Sequence, residues 1–221
     1  MNVRSCRVVL LATTHDTKDN EVMSVSDTAI AARPHAGPLV RDAVAADYPA
    51  IREVLIAAYR QYADLLSLDI FSPYLADVLD LEKHARHGRL LVVEADGWVC
   101  GFGAFYPDAT VQGVGWPAGW ASGRALAVHP AARGRGVART LLATCERLAR
   151  EAGAPVFAFH TASFMTEAIA LYERLGYRRA AEFDFDMAAR YSRFGAAPVM
   201  SIAYLRHVMQ VCAPVAASRG A

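Results

Sequence analysis

The stretch Leu126-Ala127-Val128-His129-Pro130-Ala131-Ala132-Arg133-Gly134-Arg135-Gly136-Val137-Ala138-Arg139 decides the reading of this chain. A short apolar run ends at Val128, and Pro130 forces a turn. A loop punctuated by Gly134 and Gly136 then enters a segment with Val137, Leu141, Thr144 and Leu148 on one helical face. The order is strand, loop, helix. The first turn of a helix leaves N–H groups unpaired and carries roughly half a positive charge. Glycines let such donors approach a ligand closely. The pattern predicts a loop that holds a phosphate or diphosphate. A Gly-Lys-Ser/Thr nucleotide loop does not fit, because the stretch has no lysine. A dinucleotide fingerprint fails on spacing: residues 129–133 separate the strand from the first glycine, and Arg139 stands at the third glycine position.

Working outward, residues 90–94 and 98–106 read as a hairpin around Ala95-Asp96-Gly97. Upstream, residues 39–41 read as a short strand. Asp47 reads as the cap of a helix carrying Ile51, Val54, Leu55, Ala58 and Tyr62. Ser72-Pro73 reads as the start of a second helix that carries Leu75, Val78 and Leu79 and stops at Gly88. Residues 107–123 form a long Gly/Pro/Trp-rich loop, of the kind that is usually functional or disordered. The decisive strand is expected over 124–128 and its helix over 136–152, with Gly153 as the stop. Downstream follow a strand at 156–161, a helix at 166–175 ended by Gly176, and strands at 181–185 and 199–205. Residues 1–37 read as a flexible extension, with one short apolar strand at 8–11, and residues 211–221 as a disordered tail. The domain between them spans 38–210.

A second motif lies about thirty residues beyond the first: Ala168-Ile169-Ala170-Leu171-Tyr172-Glu173-Arg174-Leu175-Gly176-Tyr177. Arg133, Gly136 and Ala138 after a Val-x-Pro turn, followed by an Ala-x-x-Leu-Tyr helix ending in Leu-Gly-Tyr, resemble the two signatures of the GCN5-related N-acetyltransferase (GNAT) family. The resemblance covers residues 39–206 in element order and is sharpest over 126–177. It implies an α/β (α+β) fold: a mixed, mostly antiparallel sheet of about seven strands flanked by four helices, splayed at the strand that binds coenzyme A.

What the resemblance implies for chemistry maps onto numbered residues. Acetyl-CoA is the co-substrate, and no metal is needed. Its diphosphate rests on the loop Arg133, Gly134, Arg135, Gly136, Val137, Ala138 and Arg139. Its pantetheine arm pairs like an extra strand with Leu126, Ala127 and Val128. A backbone N–H near Val128 polarises the thioester carbonyl, an oxyanion-hole role. The partner is an amine acceptor that attacks the thioester directly, and Tyr172 is the general acid to the departing thiolate. A homodimer is common in the family. Two positions depart from the pattern. Ser122-Gly123-Arg124 has no carboxylate where relatives place a glutamate base, so His160, Glu94 and His129 stand as candidate bases. Met165 stands where relatives carry asparagine.

Other residues admit two readings. Trp116 and Trp120 line an acceptor pocket or clamp the core. Asp64, Asp69, Asp77, Asp80 and Glu82 attract a cationic amine or form a solvated helix face. Cys145 reads as inert packing. A non-catalytic acyl-CoA-binding or interaction module of the same fold is the alternative to the enzyme, and O-acyl transfer or a longer acyl donor is a third reading.

Composition bounds these readings. The 221 residues are 54% hydrophobic and 20% charged, with mean hydropathy +0.19. Disorder is thereby excluded except at the ends. Lys+Arg total 23 against Asp+Glu 22, a balance that argues against a nucleic-acid or polybasic membrane binder. Cys6, Cys100, Cys145 and Cys212 form no paired or metal-spaced motif. No apolar run reaches membrane-spanning length, and a cytoplasmic location is expected.

Overall fold

Apolar side chains alternate along residues 89–95, so Leu91 and Val93 enter one core while Leu90 and Val92 enter another on the opposite face. That two-faced strand sits near the middle of the computed structural model, which describes residues 37–192 and 197–209. In chain order the elements are β1 (Leu39–Asp42), α1 (Tyr48–Tyr59), α2 (Leu68–Leu79), α3 (Leu81–His87), β2 (Arg89–Ala95), β3 (Trp98–Tyr106), β4 (Ala121–Val128), α4 (Val137–Glu151), β5 (Val156–Ala162), α5 (Thr166–Arg174), β6 (Arg178–Arg179), β7 (Phe185–Asp186), α6 (Met187–Tyr191) and β8 (Met200–His207). The sheet runs β1-β2-β3-β4-β5-β8-β6, with β7 also on β8. Only β4 and β5 pair in parallel. Helix α4 packs on one face and α1 on the other.

The parallel step positions the site. Pairing of β4 with β5 covers Ala121 to Gly123 and then stops. Between its pairings with Phe102 and Ala104, β4 carries one residue more than β3, and Ala125 there has φ 54°. This bulge holds a side-chain-bearing residue in left-handed backbone, a strained state that bends the strand. Residues 124–128 therefore leave β5, and the expected splay is present. On the other edge of β4, Gly101 of β3 admits the first turn of α4: a Cβ there would stand 2.7 Å from Val137 Cγ1.

Several boundaries differ from expectation. Eight strands and six helices are present among the described residues: β6 and α6 are too short to carry a periodic signal, and the expected second helix divides into α2 and α3. Asp47 does not cap α1 with its side chain. Its carboxylate takes two hydrogen bonds from Arg41 (2.7 and 2.9 Å) and one from the Val44 N–H (2.7 Å). The second helix starts at Leu68, with Pro73 inside it, and ends at Leu79. Burial of Ile70 and Phe71 beside Ala188 outweighs the hydrogen bond that Pro73 cannot make. Asp80 then caps a separate α3 by accepting the Lys83 N–H at 2.9 Å. The strand expected at 181–185 is a 3-10 turn over Ala181–Phe183 followed by β7, because the Asp184 carboxylate takes the Ala203 N–H that a ladder would use. β4 begins at Ala121, inside the stretch expected as loop. The N-terminal extension up to residue 36, the tail at 211–221, Cys6 and Cys212 lie outside the described residues.

Candidate functional site

The loop after β4 is built by local rules. His129 Nδ1 accepts the Ala131 N–H at 3.2 Å, and a 3-10 turn spans Pro130–Ala132. Gly134 and Gly136 take φ 75° and 81°, and Gly136 is the cap residue of α4. Thr140 is the first α4 residue whose N–H finds a carbonyl, that of Gly136 at 3.0 Å. Among the described residues, the N–H groups of Gly134 to Arg139 have no partner. Those of Gly134 and of Gly136 to Arg139 belong to residues that line a groove with about 1320 Å³ of empty space, some of it continuous with solvent. Leu126, Ala127, Val128, Arg133, Gly134, Gly136, Val137, Ala138, Arg139 and Tyr172 all line it. Arg135 does not; its guanidinium binds Asp96. Arg133 leans on Gln61 Oε1 at 3.3 Å and Glu167 at 3.6 Å. The His129 N–H pairs with the Cys100 carbonyl on β3, so strand alternation turns the Val128 N–H toward the splayed gap.

Tyr172 stands at the end of this groove. Its ring packs edge-on to Phe159 with centroids 4.5 Å apart, and burial pushes its hydroxyl pKa upward. A second and much smaller cavity meets the groove here. Tyr59, Leu126, Met165 and Tyr172 line both. Met165 Sδ accepts a weak hydrogen bond from Thr161 Oγ1 at 3.4 Å.

The three candidate bases are scattered. Glu94 is tied to Arg41 at 2.5 Å on the β1–β2 edge, and His129 is engaged in the loop turn and packs edge-on to Trp98. His160 alone lines the second cavity. Its Nε2 lies 2.8 Å from the Phe183 carbonyl, an acceptor only, so the neutral ring carries its proton there. Burial lowers its pKa to about 4, which makes it a weak proton acceptor for an amine of pKa about 10.4. Trp116 and Trp120 line neither cavity. They pack with Phe183, and Trp116 also stacks on His160 at 4.4 Å.

Four of the five acidic residues, all but Asp64, are engaged within the fold, and none of the five lines either cavity. Asp77 binds both Arg124 and Lys83, Asp69 accepts from Ser192 at 2.6 Å, Asp80 caps α3, and Glu82 meets Arg52 at 3.2 Å. Among the described residues no group of three or more His, Cys, Asp or Glu is placed to hold a metal, and no helix is long and apolar enough to cross a membrane. Burial raises the Cys145 thiol to about 12, as inert packing requires.

The family model described as "Acetyltransferase (GNAT) family" matches residues 49–177, which span both motifs and the splayed strand. The chain belongs to the GNAT family. Among solved GNAT-fold structures, it is 23% identical to yncA of Salmonella typhimurium, solved with acetyl-CoA (TM-score 0.52, covering 82% of this chain and 99% of that one). It is 14% identical to the PaiA N-acetyltransferase of Thermoplasma acidophilum, solved with coenzyme A (TM-score 0.58, covering 78% and 99%). It is 15% identical to the ribosomal-protein-S18-alanine N-acetyltransferase of Escherichia coli (TM-score 0.52, covering 78% and 95%). These likenesses establish the GNAT fold.

Within that fold, sequence reasoning named Leu126, His160, Met165 and Tyr172 but missed the rest of the second cavity's lining, Tyr59, Tyr74, Arg124 and Tyr191 above all. Tyr59 and Tyr74 stack edge-on at 5.7 Å, and Tyr74 meets Tyr191 at 5.5 Å. Arg124 is 18% exposed, and its Nη2 donates to Asp77 and to the Tyr191 hydroxyl (2.8 Å). The one available signal was an arginine in an otherwise small and apolar strand, Ala121-Ser122-Gly123-Arg124-Ala125.

Proposed function

We propose that this protein moves an acetyl group from acetyl-CoA to a primary amine by direct attack. The observation that carries the reading is the set of unpartnered N–H groups at residues 134 and 136–139, along a groove that also reaches Tyr172. A diphosphate satisfies those donors and gains from the positive end of α4. The pantetheine arm lies in the gap left by the departing β4, where it pairs with the free edge of residues 126–128. The Val128 N–H then faces the thioester carbonyl and stabilises the charge that develops on its oxygen.

The amine enters from the second cavity and its nitrogen attacks the carbonyl carbon. The carbon–sulfur bond breaks, its electron pair goes to sulfur, and the thiolate takes the Tyr172 proton. The proton lost by the amine passes to solvent, which also restores Tyr172. A phenol whose pKa is raised by burial stays protonated at neutral pH and so acts as donor. The thiolate forms in the same low-dielectric surroundings, which raise its basicity too.

Calorimetry with acetyl-CoA tests the reading, with micromolar binding expected. Tyr172→Phe should lower turnover about 10- to 100-fold while the acetyl-CoA Kd stays within about twofold. An unchanged rate would reduce Tyr172 to packing. Binding with no thiol release across an amine panel would favour the non-catalytic acyl-CoA module.

A further inference from the structure

We propose that the acceptor carries a carboxylate as well as its primary amine, as an amino acid does, and that Arg124 receives that carboxylate. The inference rests on the acetyltransferase reading and names the substrate class of its second cavity.

Arg124 is the one formally charged side chain among the described residues lining that cavity. Its guanidinium is held but not satisfied. Nη2 is taken by Asp77 and Tyr191, whereas Nε and Nη1 have no partner among the described residues. A guanidinium presents five N–H donors in a rigid fork that fits a carboxylate, and the two nitrogens without a protein partner keep access to solvent, so an incoming ligand can reach them.

The local charge points the same way. Asp77 also binds Lys83 Nζ, so two cations share one carboxylate and one positive charge is left over. Of the other acidic residues on α2 and α3, Glu82 is paired with Arg52, whereas Asp69 and Asp80 accept from neutral donors, the Ser192 hydroxyl and the Lys83 N–H, and line no part of the cavity. On the cavity wall itself the one formal charge among the described residues is the Arg124 guanidinium, which attracts an anion at short range.

Arg124 follows Gly123, the last β4 residue paired with β5, and precedes the bulge at Ala125. A carboxylate there leaves the rest of a small molecule between Tyr74, Tyr191 and Phe185. Its amine is free to reach the wall shared with the groove, where Leu126 and Tyr172 stand.

The test is thiol release from acetyl-CoA with three matched series: free amino acids, their carboxamides and the corresponding decarboxylated amines, with a polyamine beside them. The acids should exceed the amides and amines in kcat/KM by about tenfold or more, mainly through KM. Arg124→Gln should remove that preference, and Arg124→Lys should keep part of it. The wild-type series decides the matter even if a variant fails to fold. Amides, amines or polyamines turned over as well as the acids would overturn the carboxylate assignment and leave the acetyltransferase reading standing. So would a preference that survives Arg124→Gln. Acetyl-CoA binding with no turnover in any series also overturns it, and failure to bind acetyl-CoA removes both readings.

Discussion

In the groove, the groups that face a ligand are main-chain N–H donors of residues 134 and 136–139. In the cavity beyond Tyr172 they are side chains: Arg124, His160, Tyr74 and Tyr191. The first set is fixed by backbone conformation, with Gly134 and Gly136 at positive φ and a helix start behind them. The second set is fixed by contacts between distant parts of the chain, with Arg124 held to Asp77 and Tyr191. A main-chain site binds one chemical feature whatever the side chains do. A side-chain site can be rewritten one residue at a time, which is how one fold comes to serve many acceptors.

Main-chain donors do not titrate and buried imidazoles do, so acid acts on the cavity wall and not on the groove's donors. Burial lowers the pKa of both His160, on the cavity wall, and His84, behind it, to about 4. His160 faces Asp184, Arg124 and Arg190, and His84 faces Arg124, Asp77, Lys83 and Asp80. In the unfolded chain each titrates near ~6.5. Between those values the unfolded state binds protons that the native state refuses, so stability is full above about pH 6.5 and falls as pH drops toward 4. Urea unfolding should show a loss on the order of 4 kcal/mol between pH 7 and pH 5. Asp77 acts in a lower window. Burial opposes its ionisation, but Arg124, Lys83 and Tyr191 together bring its pKa to about 2. Its contribution is present above ~3.9 and lost as pH falls toward 2. A stability flat from pH 7 to 5 would mean that the cavity wall is no more sensitive than the groove.

The groove side is broken by geometry instead. Gly136 has φ 81° and open space around its Cβ position, so a side chain there would meet no clash, only the wrong backbone. Gly136→Pro fixes φ near −65° and removes one donor. Acetyl-CoA affinity measured by calorimetry should fall about 100-fold, the worth of one or two charge-assisted hydrogen bonds. Arg124→Gln, in the other region, should leave that Kd within about twofold. Equal losses in both variants would erase the distinction between the two sites.

The same distinction explains what the sequence could tell. The loop, its helix and the Tyr172 helix are local patterns, and the structure builds them where residues 126–139 and 168–177 place them. The splay was expected from the family resemblance, but its physical cause, the bulge at Ala125, carries no local signature because alanine rarely adopts φ 54°. The cavity network was illegible. Asp77 read as part of an acidic helix face, and its partners lie 47 residues away at Arg124 and 114 away at Tyr191. Tyr191 belongs to a five-residue helix whose start depends on Asp186 accepting the Ala188 N–H at 2.8 Å. Propensity cannot find so short an element.

Glu167 allows the finest division between the two regions. It stands in the first turn of α5 on the groove's rim, 81% exposed, with its carboxylate 3.6 Å from Arg133 Nη1. There it does two things to an incoming diphosphate: it repels the negative charge, and it occupies the arginine best placed to reach it. An exposed pair of this kind is worth little to the fold. Glu167→Gln should therefore leave the melting temperature unchanged and tighten acetyl-CoA binding by about twofold at low salt. The gain should shrink as ionic strength rises, because the Debye length at 0.15 M is only about 8 Å. Affinity for the acceptor, measured at saturating acetyl-CoA, should not move, since Glu167 lines the groove and not the second cavity. A change in acceptor KM on Glu167→Gln would mean that charge at the groove's rim is felt in both sites. The main-chain and side-chain regions would then be one electrostatic unit.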